Sequence, residues 1–104
     1  MNGAKSELDC EMILEALRCT NGEVRDNFRM IVFGYNGSEA KFIFYCVNEP
    51  DEDDREAAEI IGLNFGAGGG AGLEKLDLDF VVIEGSLATV DTLDAVIFRR
   101  WEPV

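Results

Sequence analysis

The sequence predicts an α+β domain in the order αββαββ: a four-stranded, mainly antiparallel sheet with two helices on one face. Three observations carry this reading. Residues 5–19 and 51–65 repeat their apolar side chains at helical spacing. An Asn36-Gly37 pair separates two strand-like runs, 28–35 and 38–47. Two more β-prone runs, 76–84 and 93–101, follow a glycine-rich connector. A chain of 104 residues suits one domain, and no internal repeat or boundary divides it, so 1–104 is read as a single unit.

In the first helix, Cys10, Ile13, Leu14 and Leu17 follow the i, i+3, i+4, i+7 pattern of a buried stripe. Ser6 with Asp9 three residues on gives a capping-box-like start. Glu7, Asp9 and Glu11 suit the positive end of the helix dipole and Arg18 the negative end. Asn21-Gly22 supplies the stop.

Asn-Gly favours a type I′ turn, whose central residues both need positive φ. A turn there sets Tyr35 opposite Ser38, Phe33 opposite Ala40, Ile31 opposite Phe42 and Arg29 opposite Phe44. One face then carries Ile31, Phe33, Ala40, Phe42, Phe44 and Cys46, the expected helix-covered core. The other carries Phe28, Met30, Val32, Lys41, Ile43, Tyr45 and Val47. This second face is more apolar than a solvent face needs to be, and a contiguous exposed patch of this kind marks an interaction site.

Residues 49–59, Glu-Pro-Asp-Glu-Asp-Asp-Arg-Glu-Ala-Ala-Glu, place seven carboxylates and one guanidinium in eleven positions. Their local charge of −6 is half of the chain's −12. Pro50 cannot continue a central strand and fits a helix start. Asp51 is the expected N-cap, with Asp54 at the third helical position. Ala57, Ile60, Ile61 and Phe65 trace a buried stripe, while Asp53, Arg55, Glu56 and Glu59 fall mainly on the other side. The helix dipole accepts a few negative charges at about 0.3–1 kcal/mol each. Capping uses one or two carboxylates; the surplus either keeps the protein soluble or meets something basic.

The run Gly66–Gly72 contains a G-x-G-x-x-A spacing, but a dinucleotide fingerprint needs a strand before it and a helix after it. Here the order is reversed, so the run reads as a connector. Leu76, Leu78, Phe80 and Val82 then alternate with Asp77, Asp79, Val81 and Ile83 as a third strand. Gly85 to Asp91 turns the chain, and residues 93–101 form the fourth strand, where Arg99 or Arg100 can neutralise an acidic neighbour from the second helix or third strand.

Composition narrows the function. There is no histidine, which removes the usual general base and the commonest zinc ligand. Three cysteines without C-x-x-C spacing argue for a reducing, cytoplasmic setting, with Cys10 and Cys46 as small core residues. No apolar run is long enough to span a bilayer, and no signal peptide is visible. Asp51 to Asp54 lack the alternate spacing and central glycine of a calcium loop. Exposed helix carboxylates keep ordinary acidity and make poor catalysts. No enzyme activity, metal or cofactor is therefore expected. With 21 acidic against 9 basic side chains, nucleic acid and anionic lipid are repelled and basic proteins attracted.

At this point a resemblance enters. Phe42–Ile60, with its Glu49-Pro50-Asp51-Glu52-Asp53-Asp54-Arg55-Glu56 turn, resembles the central strand, acidic turn and following helix of a group of small bacterial proteins. Phe98-Arg99-Arg100-Trp101-Glu102 is similar to their last strand, and the likeness runs from about residue 12 to the end. These are immunity proteins of contact-dependent growth inhibition and related polymorphic toxin systems. Such a segment after the second helix is usually longer, polar or proline-containing; Gly66–Gly72 stands there instead. The resemblance implies a non-catalytic α+β domain that binds and neutralises a cognate toxin domain. Many such toxins are nucleases with basic clefts.

The expected partner is thus a basic toxin domain, a nuclease, bound as a monomer in a 1:1 complex. Glu49, Asp51, Glu52, Asp53, Asp54, Glu56 and Glu59 supply charge complementarity, and Tyr45, Ile43 and Trp101 are candidate anchors. The acidic helix either blocks the toxin's active site or grips an adjacent surface and occludes substrate. The alternative is a non-catalytic interaction module that pairs with its own copy through the apolar second face.

Overall fold

The computed structural model describes residues 7–68 and 72–102. Its elements are α1 (Glu7–Thr20), β1 (Phe28–Tyr35), β2 (Glu39–Cys46), α2 (Glu52–Ala67), β3 (Lys75–Val82) and β4 (Ala95–Arg99), with a 3-10 turn at Leu87–Thr89. The strands form a sheet in the order β3-β2-β1-β4. β1 runs antiparallel to β2 and β4, and β3 runs parallel to β2. The expected element order and mainly antiparallel sheet are observed, with one parallel pair. That pair needs a long crossover, and α2 is the crossover. The capping expected from Ser6 and the Asp9 side chain lies outside the described residues, as do Gly69, Gly70 and Ala71.

Both helices cover the same face. Met12, Ala16 and Cys19 of α1 join Ala57, Ala58, Ile61 and Phe65 of α2 in one buried cluster over Ile31, Phe33, Phe42 and Phe44. The rings interlock: Phe33 lies 5.0 Å from Phe42 and 5.2 Å from Phe65, centroid to centroid. Edge-to-face and tilted pairs of this kind add to the apolar burial itself. At Gly62 a Cβ would stand 3.2 Å from a methyl of Leu78, so the missing side chain lets α2 approach β3 closely.

Several expectations are corrected. Tyr35 pairs with Ala40, Phe33 with Phe42 and Ile31 with Phe44, two residues from the predicted register. The Asn36 amide donates to Glu39 O at 3.1 Å, which makes Gly37-Ser38 the central pair of the turn. Gly37 takes φ 101°, the positive value that a type II′ turn demands at its first central position. Asn36 instead accepts from the Ser38 and Glu39 amides through Oδ1, at 3.1 and 2.8 Å. A two-residue shift leaves every side chain on its predicted face. Phe28 is the exception: a bulge between Phe28 and Met30 turns it into the helix-covered core, 5.1 Å from Phe44.

α1 is rotated about one position from the expected stripe. Met12, Ala16 and Cys19 are buried, Leu14 and Leu17 are 60% and 48% exposed, and Cys10 is exposed. Small side chains at 16 and 19 let the helix sit low on its neighbours, which a stripe of leucines would not. In α2, Ile60 leaves the expected stripe, and Ala58 and Gly62 are buried with Ala57, Ile61 and Phe65.

The second sheet face is not exposed. Residues 83–94 fold back across it, and Leu87, Ile83, Val90 and Leu93 pack on Met30, Val32, Ile43 and Tyr45. Ile43 and Tyr45, expected as exposed anchors, are 7% and 4% exposed, and the Tyr45 hydroxyl donates to Asp91 O at 2.7 Å. Self-pairing through this face has no free surface to use.

Arg29 holds the returning segment in place. It sits at the β1 bulge with its side chain 11% exposed. Its guanidinium donates to both Glu102 oxygens, at 2.8 and 2.7 Å, and to Ile83 O and Gly85 O, at 2.8 and 2.9 Å. Hydrogen bonds from Arg29, together with Arg100, hold the Glu102 carboxyl at about 2, below its usual 4.5. Arg29→Ala should destabilise the fold by about 2–4 kcal/mol in urea titration, because it leaves the Ile83 and Gly85 carbonyls without their donor and Glu102 with Arg100 alone. The depressed acidity sets a sign: the contribution of Glu102 is complete above about pH 4.5 and is lost as pH falls towards about 2. Glu102→Gln should lower stability at pH 7 and flatten its fall across that window.

Candidate protein-binding surface

The acidic stretch divides by direction. Asp51 caps α2: its Oδ1 accepts from the Asp54 amide at 2.8 Å, and Asp54 Oδ2 accepts from the Asp51 amide at 3.1 Å. The expected N-cap is observed, and the bond back from the Asp54 side chain completes a capping box. Asp54, however, points inward and is 3% exposed. It also accepts from Arg25 Nε at 3.1 Å and from Asn27 Nδ2 at 2.9 Å. Asn27 in turn exchanges hydrogen bonds with the Asn48 backbone, at 2.9 and 2.8 Å. One carboxylate therefore ties the start of α2 to the α1–β1 connection and the end of β2. Burial opposes its charge, but the Asp51 amide, Arg25 and Asn27 outweigh that and hold its carboxyl below the ordinary aspartate value.

The other expected residues face outward. Glu49, Asp51, Glu52, Asp53, Glu56 and Glu59 are all exposed. Asp53 has only a distant partner, Arg25 at 3.9 Å. Among the described residues, no salt bridge reaches Glu49, Glu52, Glu56 or Glu59. Five of the described cations are engaged elsewhere: Arg18 with Glu15, Lys41 with Asp79, Lys75 with Asp77, and Arg29 and Arg100 with Glu102. Arg55, within the acidic stretch itself, lies over the Phe80 ring at 5.3 Å from its centroid. The arginine that meets α2 is Arg25, rather than Arg99 or Arg100 as the sequence suggested.

Beside the helix start lies an open cleft of about 530 Å³, lined by Arg25, Asn27, Asn48, Glu49, Asp51 and Arg100 among others. Trp101, the third expected anchor, follows Arg100 and is 83% exposed. The buried thiols of Cys19 and Cys46 are each pushed up to about 11 by burial, which keeps them protonated and unreactive. No group of three or more metal-ligating side chains converges among the described residues. None of their helices is long and apolar enough to cross a membrane.

The chain is a small α+β domain that turns a strongly acidic helix to solvent. The chain matches the family model of the MafI2 immunity proteins over residues 9–102, and it belongs to that family. No curated protein matches it. The family gives it an immunity role with a toxin as partner and supports a non-enzymatic role. This agrees with the resemblance carried by Phe42–Ile60 and Phe98–Glu102.

The split between Asp54 and its neighbours is testable by unfolding. Asp54→Ala should lose about 1–3 kcal/mol in urea titration, since it removes one half of the capping box and the carboxylate that ties Arg25 and Asn27 to the helix start. Asp53→Ala, on the exposed side, should stay within about 0.5 kcal/mol of the parent.

Proposed function

We propose that this chain neutralises a basic toxin domain, a nuclease, by tight non-covalent binding as a monomer in a 1:1 complex, in the cytoplasm of the cell that makes it. Residues 1–104 act as one domain and catalyse nothing. What carries this reading is that the acidic face of α2 has so few cations of its own: Glu49, Glu52, Glu56 and Glu59 are exposed without a salt bridge among the described residues. Arg18, Arg29, Lys41, Lys75 and Arg100 pair with carboxylates elsewhere, which leaves this potential for something else to meet.

A nuclease fits the chemistry. Its cleft must attract a phosphate backbone, so it is basic, and an acidic helix complements it. Glu49, Asp51, Glu52, Asp53, Glu56 and Glu59 would steer the encounter, with Trp101 at the margin. Asp54 serves by fixing the helix that presents them. Ile43 and Tyr45, buried under the chain's own return, are given no contact role.

The test is charge reversal that spares Asp54. The triple variant Glu52→Lys, Asp53→Lys, Glu56→Lys should bind the toxin domain encoded by the adjacent upstream reading frame about 10–100-fold more slowly at low salt. It should also lose protection of cells that express that toxin. Equal association rates for parent and variant at low ionic strength, with protection intact, would sink the electrostatic account.

A further inference from the structure

We infer that Leu63, flanked by Ile60, is the apolar anchor of the same α2 surface, and that its occupant is an apolar pocket set in the basic surface of the toxin domain. This rests on the toxin-binding reading above and adds the residues that hold the complex once charge has assembled it. Leu63 is 75% exposed and Ile60 38% exposed, in a helix whose other large apolar side chains, Ile61 and Phe65, are fully buried. At about 100° per residue, Glu52, Glu56, Glu59 and Leu63 fall within about 60° of one another around the helix axis. They form one outward line, with Leu63 a single turn beyond Glu59 and Ile60 beside it.

The order along the line matters. Carboxylates occupy the first half of the exposed face and apolar side chains the second, about 16 Å from Glu52 to Leu63. A solvated helix face needs no exposed leucine. An exposed apolar residue bordered on one side by charges suits an interface anchor, whose polar neighbours help exclude water once it is covered. Charge chooses the occupant. A second copy carries the same net charge of −12, which opposes its approach. A partner that brings cations is drawn to the carboxylates beside Leu63 as it covers the leucine.

Steering and anchoring separate in kinetics, because charge acts on association and apolar contact on dissociation. The probe is the toxin domain from the adjacent upstream reading frame, with binding followed by surface plasmon resonance at about 50 mM and about 300 mM salt. Leu63→Ala should speed dissociation about tenfold or more and leave association within about twofold. Glu52→Gln with Glu56→Gln and Glu59→Gln should slow low-salt association about tenfold and reduce its salt dependence. Leu63 is exposed, so Leu63→Ala should keep the parent's melting midpoint, checked by circular dichroism. If the parent binds and Leu63→Ala dissociates at the parent's rate, the anchor is overturned while toxin binding stands. If the parent does not bind this domain at all, the toxin-binding reading falls and takes the anchor with it. Dimers of the free chain that Leu63→Ala dissolves in sedimentation would also overturn the assignment, in favour of a second copy.

Discussion

The structure turns on one buried carboxylate. Asp54 closes the capping box of α2 and at the same time binds Arg25 and Asn27. A cap alone fixes where a helix begins. A cap that is also tethered to two other segments fixes how the helix is turned about its axis. The rotation of α2 decides which residues are core and which are surface. With Asp54 held inward, Ala57, Ala58, Ile61 and Phe65 meet the sheet, and Glu52, Glu56, Glu59 and Leu63 must face water. The proposed binding surface is a geometric consequence of the tether.

Arg29 plays the matching part on the other side of the sheet. Its four donated bonds reach Glu102 and the carbonyls of Ile83 and Gly85, the two places where the chain leaves β3 and passes β4. The segment between them covers Met30, Val32, Ile43 and Tyr45. A bulge makes this possible, because the extra residue in β1 turns Phe28 into the core and redirects its neighbours. The two sheet faces are thus closed by different means: helices on one, a clasped irregular segment on the other.

Much of this was legible in the sequence. The element order, the hairpin faces, the stop at Asn21-Gly22 and the Asp51–Asp54 box all follow from local rules: alternation, turn chemistry and cap spacing. What was not legible depends on neighbours. Periodicity shows that α1 has a stripe but cannot choose between Leu14-Leu17 and Met12-Ala16-Cys19, since the choice rests on how closely the helix must approach α2 and the sheet. The covering of the second face was hidden because Leu87, Val90 and Leu93 sit in a segment without strand or helix period, read only as a turn. Of the candidate site, the outward carboxylates were found from charge density alone. The inward role of Asp54 was partly signalled by its cap position, but its partners Arg25 and Asn27 lie 29 and 27 residues away in sequence and no spacing rule links them. Leu63, the proposed anchor, gave no signal in the sequence because a lone exposed leucine carries no pattern.

The proposed apolar anchor lies on the helix and not on the sheet, beside the proposed acidic surface. Carboxylates one turn apart on a water-exposed helix repel by about 0.5–1 kcal/mol per pair at low salt. The helix dipole offsets this in the first turn, at Glu52 and Asp53, but falls off before Glu56 and Glu59. The free chain therefore holds a small unrelieved repulsion in the stretch of α2 next to Ile60 and Leu63. A cation placed there would remove the repulsion and add its own attraction, and the same approach would bring an apolar surface over Leu63. Charge and burial then favour one docked geometry from one helix face, which neither an acidic patch on a solvated loop nor an apolar sheet face far from α2 would achieve.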